Sequence, residues 1–296
     1  MLSQPAFWAR MSPASRGIAL FLTAVFVFSI MDTLAKLLTA SYDPLYVTWA
    51  RYAGQVAWTV LLLAPWLPGM LRTRHLGLQV VRSVLLFGAT FMFYSAVATL
   101  PFADATAIFE VAPLLMTILA VVILKDRVGP RRWIGVSVGL VGALIIIRPG
   151  TDVFSINALY PVAAALSFAG YAIATRFLGS DESPWTSFVY TALFGAVVAS
   201  LLLPGVWEVP TRGDLPFFAI IGLVGGIGQL LLILALRAVS PSVIAPFGYV
   251  ALVFNGAWGY GLFGEVPDLW TVAGASLIVG SGLYVWHRER QAGAGP

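Results

Sequence analysis

The sequence predicts an all-α polytopic membrane protein of ten transmembrane helices, built as two inverted five-helix repeats. Three observations predict it. The chain is 59% hydrophobic and 10% charged, with a mean hydropathy of +0.90, whereas a soluble domain carries about 25% charge. It divides into ten apolar runs separated by short connections. A charged turn leading into a glycine-rich apolar helix, Leu124 to Arg148, recurs from Phe263 to Arg288 at an offset of about 139 residues.

The recurrence is gapless. Asp126 falls on Glu265, Gly135 on Gly274 and Ser137 on Ser276. Further upstream, Asp43-Pro44 before the second run corresponds to Ser183-Pro184 before the seventh, one residue further along. The repeats are therefore residues 1–148 and 149–296. Five spans per repeat is an odd number, so the second copy enters the membrane upside down.

The first run, 17–38, lacks a small-x-small cleavage site and contains Asp32 and Lys36, so it reads as a retained helix rather than a signal peptide. The second, 45–64, carries Arg51. The third, 80–100, carries Thr90, Phe91 and Tyr94 near its middle. The fourth, 103–124, carries Glu110 and, three residues on, Pro113, which removes a backbone donor and disturbs the carbonyl of Phe109. The fifth, 132–147, has Gly135 and Gly139 in a GxxxG pattern plus Gly142. The sixth, 157–178, carries Ser167 and Tyr171. The seventh, 185–203, has Thr191 at the Arg51 position, so the ionic residues are not duplicated.

The eighth run, 215–236, holds Gly222, Gly225, Gly226 and Gly228 followed by Gln229. Such a cluster fits either a kinked or broken helix beside a pathway, or close helix packing. The ninth, 242–263, carries Asn255 and Trp258. The tenth, 269–286, has Ser276 and Gly280 at the GxxxG spacing; internal packing and a homodimer seam are the two readings of these small-residue pairs.

Lysine and arginine orient the chain. With the N-terminus cytoplasmic, Arg10, Arg16, Arg72, Arg74, Arg82, Lys125, Arg127, Arg131, Arg132, Arg176, Arg237, Arg288 and Arg290 face the cytoplasm, against Arg148 and Arg212 outside. Both termini are therefore expected in the cytoplasm.

Four ionisable residues lie inside spans: Asp32, Lys36, Arg51 and Glu110. They share the outer part of the bilayer and sum to zero charge, which fits a structural ion-pair network, an external gate or part of the substrate site. Near the midplane lie Thr90, Phe91, Tyr94, Ser167, Tyr171, Gln229, Asn255 and Trp258. A cavity they lined would have aromatic walls and a few neutral hydrogen-bonding groups, suiting a small amphipathic solute. Packing and lipid contact are the plainer reading of each aromatic.

Signals for catalysis are poor. The chain has no cysteine, and its two histidines, His75 and His287, are both expected at cytoplasmic edges. No metal-ligand cluster, Walker loop or Gly-x-Ser-x-Gly appears. Asp181-Glu182 reads as a solvated turn. No metal, cofactor or nucleic-acid partner is expected; the partners are a small solute and the bilayer.

These residues resemble the EamA-type branch of the drug/metabolite transporter superfamily. The likeness is carried by DTLAKLL ending near Lys36, DPLYVTWARYA with Pro44 and Arg51, APLLMTILAVVILKDR from Pro113 to Asp126, and LFGEVPDLWTVAGASLIVGSGL with Glu265. It covers nearly the whole chain; the family usually has Glu where this chain has Asp126. Within the family the sequence is most similar to the YddG-type aromatic amino-acid exporters of bacterial inner membranes. The resemblance implies ten helices, inverted repeats, a central cavity with spans five and ten as outer supports, and export of small metabolites without ATP. Amino acids, aromatic or otherwise neutral, are the expected solutes. An intramembrane enzyme acting on lipid-linked substrates is the rival from another class.

Overall fold

The computed structural model describes residues 12–125, 130–148, 155–179 and 181–293. It is helical, with no strand among the described residues. The longer elements are α1 (Pro13–Thr39), α2 (Pro44–Leu63), α3 (Leu76–Thr99), α4 (Phe102–Phe109), α5 (Ala112–Leu124), α6 (Pro130–Ile147), α7 (Leu159–Leu178), α8 (Pro184–Leu202), α9 (Leu215–Ala238), α10 (Pro241–Gly248), α11 (Val250–Phe263) and α12 (Leu269–Gly293).

Local chemistry sets the ends. Ser12 caps α1 by accepting from the Ser15 N–H at 3.1 Å. Asp43 caps α2 by accepting from the Leu45 N–H, and Ser183 caps α8 by accepting from the Trp185 N–H. In both of the last two the next residue is a proline, whose missing N–H costs nothing in a first turn. Lys125 after α5 and Gly264 after α11 both take the left-handed conformation that stops a helix.

Among the described residues, six apolar stretches are long enough to cross a membrane: Ser15–Thr39, Leu76–Thr99, Phe102–Ile123, Ile156–Leu178, Pro184–Gly205 and Leu215–Ala238. Helix α2 buries Thr48, Arg51, Gln55 and Thr59, which lowers its hydropathy. The apolar parts of α6, α11 and α12 are shorter. Large apolar side chains such as Leu61, Leu201 and Val253 face outward, as a bilayer requires and water does not.

Two expected spans are each split into two helices. Span four breaks between α4 and α5 at Glu110 and Val111. Span nine breaks between α10 and α11 at Tyr249. The expected bend beside Pro113 thus falls just before the proline, which occupies the first turn of α5. The element ends recur at a constant offset of about 139 residues: Leu76 to Leu215, Phe102 to Pro241, Phe109 to Gly248 and Lys125 to Gly264.

The core pairs helices across the chain. Helix α1 packs on α9 and α3 on α7, while α2 lies against α8 and α9. Helix α6 packs along α12 at the periphery. Gly142 and Gly274 meet there: a Cβ at Gly142 would lie 2.7 Å from the Gly274 carbonyl oxygen. Gly139, against Leu114 and Ser281, serves packing inside one chain as Gly142 and Gly274 do, whereas Ser276 and Gly280 are exposed.

The glycine cluster of the eighth span is resolved the same way. Helix α9 runs unbroken from Leu215 to Ala238, so the broken form does not occur. Gly222 crosses α2 at Gly54, where a Cβ would come within 2.5 Å of the Gln55 nitrogen. Gly225 makes room for Arg51, Gly226 for Gln55 and Gly228 for Phe28. Removal of side chains lets two backbones touch, and the helix has no need to open.

Candidate functional site

The two helix breaks pack against each other and both contribute to the wall of one cavity. Its mouth and interior give about 120 Å³ in which the centre of a water molecule fits. Helices α1, α2, α3, α7, α9 and α11, with both broken pairs, contribute to its wall. The wall is mostly apolar, with Phe21, Phe28, Phe93, Phe109 and Phe168 among it. Into it project Asp32, Arg51, Glu110, Thr90, Tyr94 and Asn255.

Arg51 is held with 1% exposure. Its Nε donates to the Met31 sulfur at 3.2 Å, and its guanidinium carbon lies 4.4 Å from the centre of the Tyr52 ring. Its Nη1 has no protein partner. Asp32 lies beside Arg51 and Asn255. The Asn255 amide nitrogen donates to Thr106 Oγ1 at 3.4 Å, while its Oδ1 has no partner. The Tyr94 hydroxyl is fully buried and also without a partner. A buried donor or acceptor left unpaired costs about 1–3 kcal/mol. Three such atoms lie around one cavity.

Glu110 is 3% exposed and sits at the α4–α5 break. One carboxylate oxygen is 3.7 Å from the position a Cβ would take on Gly248, at the end of α10. A discontinuous helix at this depth survives only where it lines a cavity or is covered by protein. Both breaks meet that condition, which is how a transporter exposes helix ends to a polar solute.

Of the expected midplane residues, Thr90, Tyr94 and Asn255 line the cavity; the others do not. Phe91 stacks along Phe87 with rings 6.5 Å apart. Ser167 packs at the α3–α7 crossing beside Gly88. Gln229 accepts from the Gln55 amide at 3.1 Å and joins α9 to α2. Trp258 is one step removed, donating to the Ser29 hydroxyl at 3.1 Å, and Ser29 itself lines the wall. Tyr171 is fully buried and accepts from Arg82 at 3.0 Å.

The four-residue ionic network is also divided. Asp32, Arg51 and Glu110 share the cavity, but no ion pair joins them among the described residues. Lys36 is elsewhere: its ammonium pairs with Glu265 at 3.2 Å and donates to the Leu100 carbonyl at 3.0 Å. Sequence reasoning gave Glu265 only a repeat position, and its counterpart Asp126 lies outside the described residues.

Arg82 was placed at a cytoplasmic edge by the sequence. It lies inside α3 with 0% exposure. Its guanidinium donates to Thr175, Thr191, Tyr171, the Gln79 side chain and the Ser187 carbonyl, all at 2.9–3.3 Å. Glu182, of the Asp181-Glu182 turn, accepts from Thr73 and from the Arg74 N–H, a structural use.

The profile of the EamA-like transporter family matches residues 15–148 and again 155–286. The S-adenosylmethionine uptake transporter of Rickettsia bellii (strain RML369-C) is 29% identical over 94% of this chain and 96% of its own length. The riboflavin transporter of Vibrio cholerae is 29% identical, covering 93% of this chain and 94% of its own. The pseudopaline exporter CntI of Pseudomonas aeruginosa is 30% identical over 89% and 93%. A solved crystal structure superposes with a TM-score of 0.72 at 20% identity over 93% of this chain and 98% of that one, a likeness of fold.

Proposed function

Since this chain belongs to the EamA-like transporter family, we propose that its central cavity is the solute site of a carrier for a small organic metabolite. The carrier works by alternating access and without ATP. The observation that supports it is one cavity that holds a guanidinium, two carboxyl groups and three unpaired polar atoms inside an aromatic wall. We take the two family matches as two inverted five-helix halves, 1–148 and 149–296, in a bacterial inner membrane with both termini cytoplasmic.

The named relatives carry S-adenosylmethionine, riboflavin and pseudopaline, and both uptake and export appear among them. Their names therefore select no single solute and no direction. The cavity supports an amino-acid type of solute. Arg51 is placed for a carboxylate, Asp32 or Glu110 for an ammonium, and the phenylalanines for an apolar or aromatic side chain. Export, and the likeness to YddG-type exporters, rest on the sequence resemblance. No observation favours the lipid-linked enzyme, and all the relatives named above are transporters.

The test is counterflow in liposomes containing the purified protein and no nucleotide. Preloaded unlabelled amino acid should drive accumulation of labelled phenylalanine or leucine. Accumulation of none of a panel of amino acids, S-adenosylmethionine and riboflavin would contradict the reading.

A further inference from the structure

Two different ties flank the two ends of the cavity. Lys36 lies one helical turn beyond Asp32 on α1, and Phe102 one turn before Thr106 on α4. Just past that end of the cavity, Lys36 pairs with Glu265 at 3.2 Å and donates to the Leu100 carbonyl at 3.0 Å. The second Glu265 oxygen accepts from the Phe102 N–H at 2.5 Å and so caps α4. Three segments meet in this tie: the end of α1, the α3–α4 turn and the α11–α12 connection. The paired side chains keep 17% and 24% of their exposure, so water and salt reach them.

The repeat places Thr175 at the Lys36 position, Tyr171 at the Asp32 position and Thr191 at the Arg51 position. All three hydroxyls accept from Arg82, at 2.9–3.0 Å. Arg82 is one turn before Leu86, which lines the opposite end of the cavity. Here the residues equivalent to the ionic trio are consumed in holding α3 to α7 and α8. This second tie is fully buried and has no anion in it.

We propose that the Lys36–Glu265–Phe102 tie is the latch of the cavity, the contact that breaks when the cavity opens to the face where α1 ends. The Arg82 cluster is the fixed side, holding α3, α7 and α8 as one body. A partly exposed ion pair is within reach of water and is screened by salt, whereas a buried guanidinium stripped of its partners is costly. Of the two ties, the first opens at the smaller cost. The proposal rests on reading the cavity as the solute path, but its test measures access instead of transport.

The chain has no cysteine of its own. A single cysteine at Ala89, on the cavity wall, reports access to a membrane-impermeant maleimide in sealed vesicles. Separate cysteines at Thr211 and Arg74 mark the two faces. Lys36→Met and Glu265→Gln should each speed labelling of Ala89→Cys about tenfold from the face marked by Thr211, the effect of losing one hydrogen bond to a charged group. Labelling from the Arg74 face should not change, and Lys36→Arg should stay near wild type. Raising salt to 1 M, where the Debye length falls to about 3 Å, should speed labelling of the otherwise unaltered protein from the same face. Thr175→Val should lower stability without altering that face's rate. Equal acceleration from both faces, or none from the Thr211 face, overturns the proposal. If a single variant fails to fold, the salt arm decides alone. Failure of a transported solute to slow labelling would instead sink the solute-path reading and leave the latch standing.

Discussion

Gly222→Ala should destabilise the protein, although alanine is the better helix former. A Cβ at Gly222 would sit 2.5 Å from the Gln55 nitrogen and from the Gly54 carbonyl carbon, and 2.6 Å from the Gly54 Cα. All three are backbone atoms, so no side chain can swing aside. Ordinary contact distances require α2 and α9 to part by about 1 Å, which forfeits a quarter to a half of the attraction at that crossing. Overpacking of this kind costs about 1–3 kcal/mol, and the intrinsic gain from alanine returns at most about 1 kcal/mol. The same parting pulls on the Gln55–Gln229 hydrogen bond, two turns along. A control is Gly256→Ala in α11, where nothing lies within 4 Å of the new Cβ and the propensity gain is unopposed. Unfolding by SDS titration should place Gly222→Ala below wild type and Gly256→Ala at or above it. If the two variants unfold together, the helices do not meet backbone to backbone, and the close-packed account of the glycine cluster is wrong.

Arg82→Met should lose about 2–4 kcal/mol in the same titration, because Thr175, Thr191 and Tyr171 lose their shared donor in a buried site. For topology, cysteines at Arg74 and Arg290 should be shielded from an impermeant reagent added to intact cells while one at Thr211 labels; labelling of both Arg sites from outside would reverse the orientation. Asp268 gives a pH dependence: the hydrogen bond from Arg148, then the Thr271 N–H, hold its carboxyl down at about 2, against an ordinary 3.8. Its contribution is complete above 3.8 and is lost as pH falls through about 2, so wild type should be the more stable above that window and acid titration should close the gap to Asp268→Asn within it. That difference should be small, because the Asp268 side chain is half exposed.

Much of the scaffold was legible because single residues dictate it. Asp43-Pro44 and Ser183-Pro184 start helices by cap chemistry that depends on neighbours in the chain alone. The break beside Glu110 followed from Pro113, although the break near Tyr249 has no proline at the equivalent place, where Leu252 stands. Asp32, Arg51 and Glu110 could be singled out because burying charge in a bilayer is expensive, and all three reach one cavity. What failed was partner assignment. Depth along a span says how deep Tyr171 or Lys36 lies, but not which neighbour it faces. Tyr171 faces Arg82 and Lys36 faces Glu265, both distant in the chain. Arg82 was misplaced because its position, in the second turn of α3, looks like a flanking charge when only hydropathy is read. The glycine cluster had two readings because a helix that must bend and a helix that must be approached ask for the same residue.

The central claim is that the cavity lined by the two helix breaks is the solute site, and protection of a cysteine within it tests that claim most directly. Ala89→Cys lies on the wall, and Gly280→Cys, with nothing within 4 Å, reports the outside of α12. A solute that shows counterflow in liposomes should slow maleimide labelling at Ala89→Cys, with half-protection near the concentration that half-saturates transport, and leave Gly280→Cys unchanged. Asn255→Ala, which removes one of the unpaired acceptors, should shift both concentrations upward together. A solute that is transported without protecting Ala89→Cys, or that protects both sites equally, would contradict the assignment of the cavity.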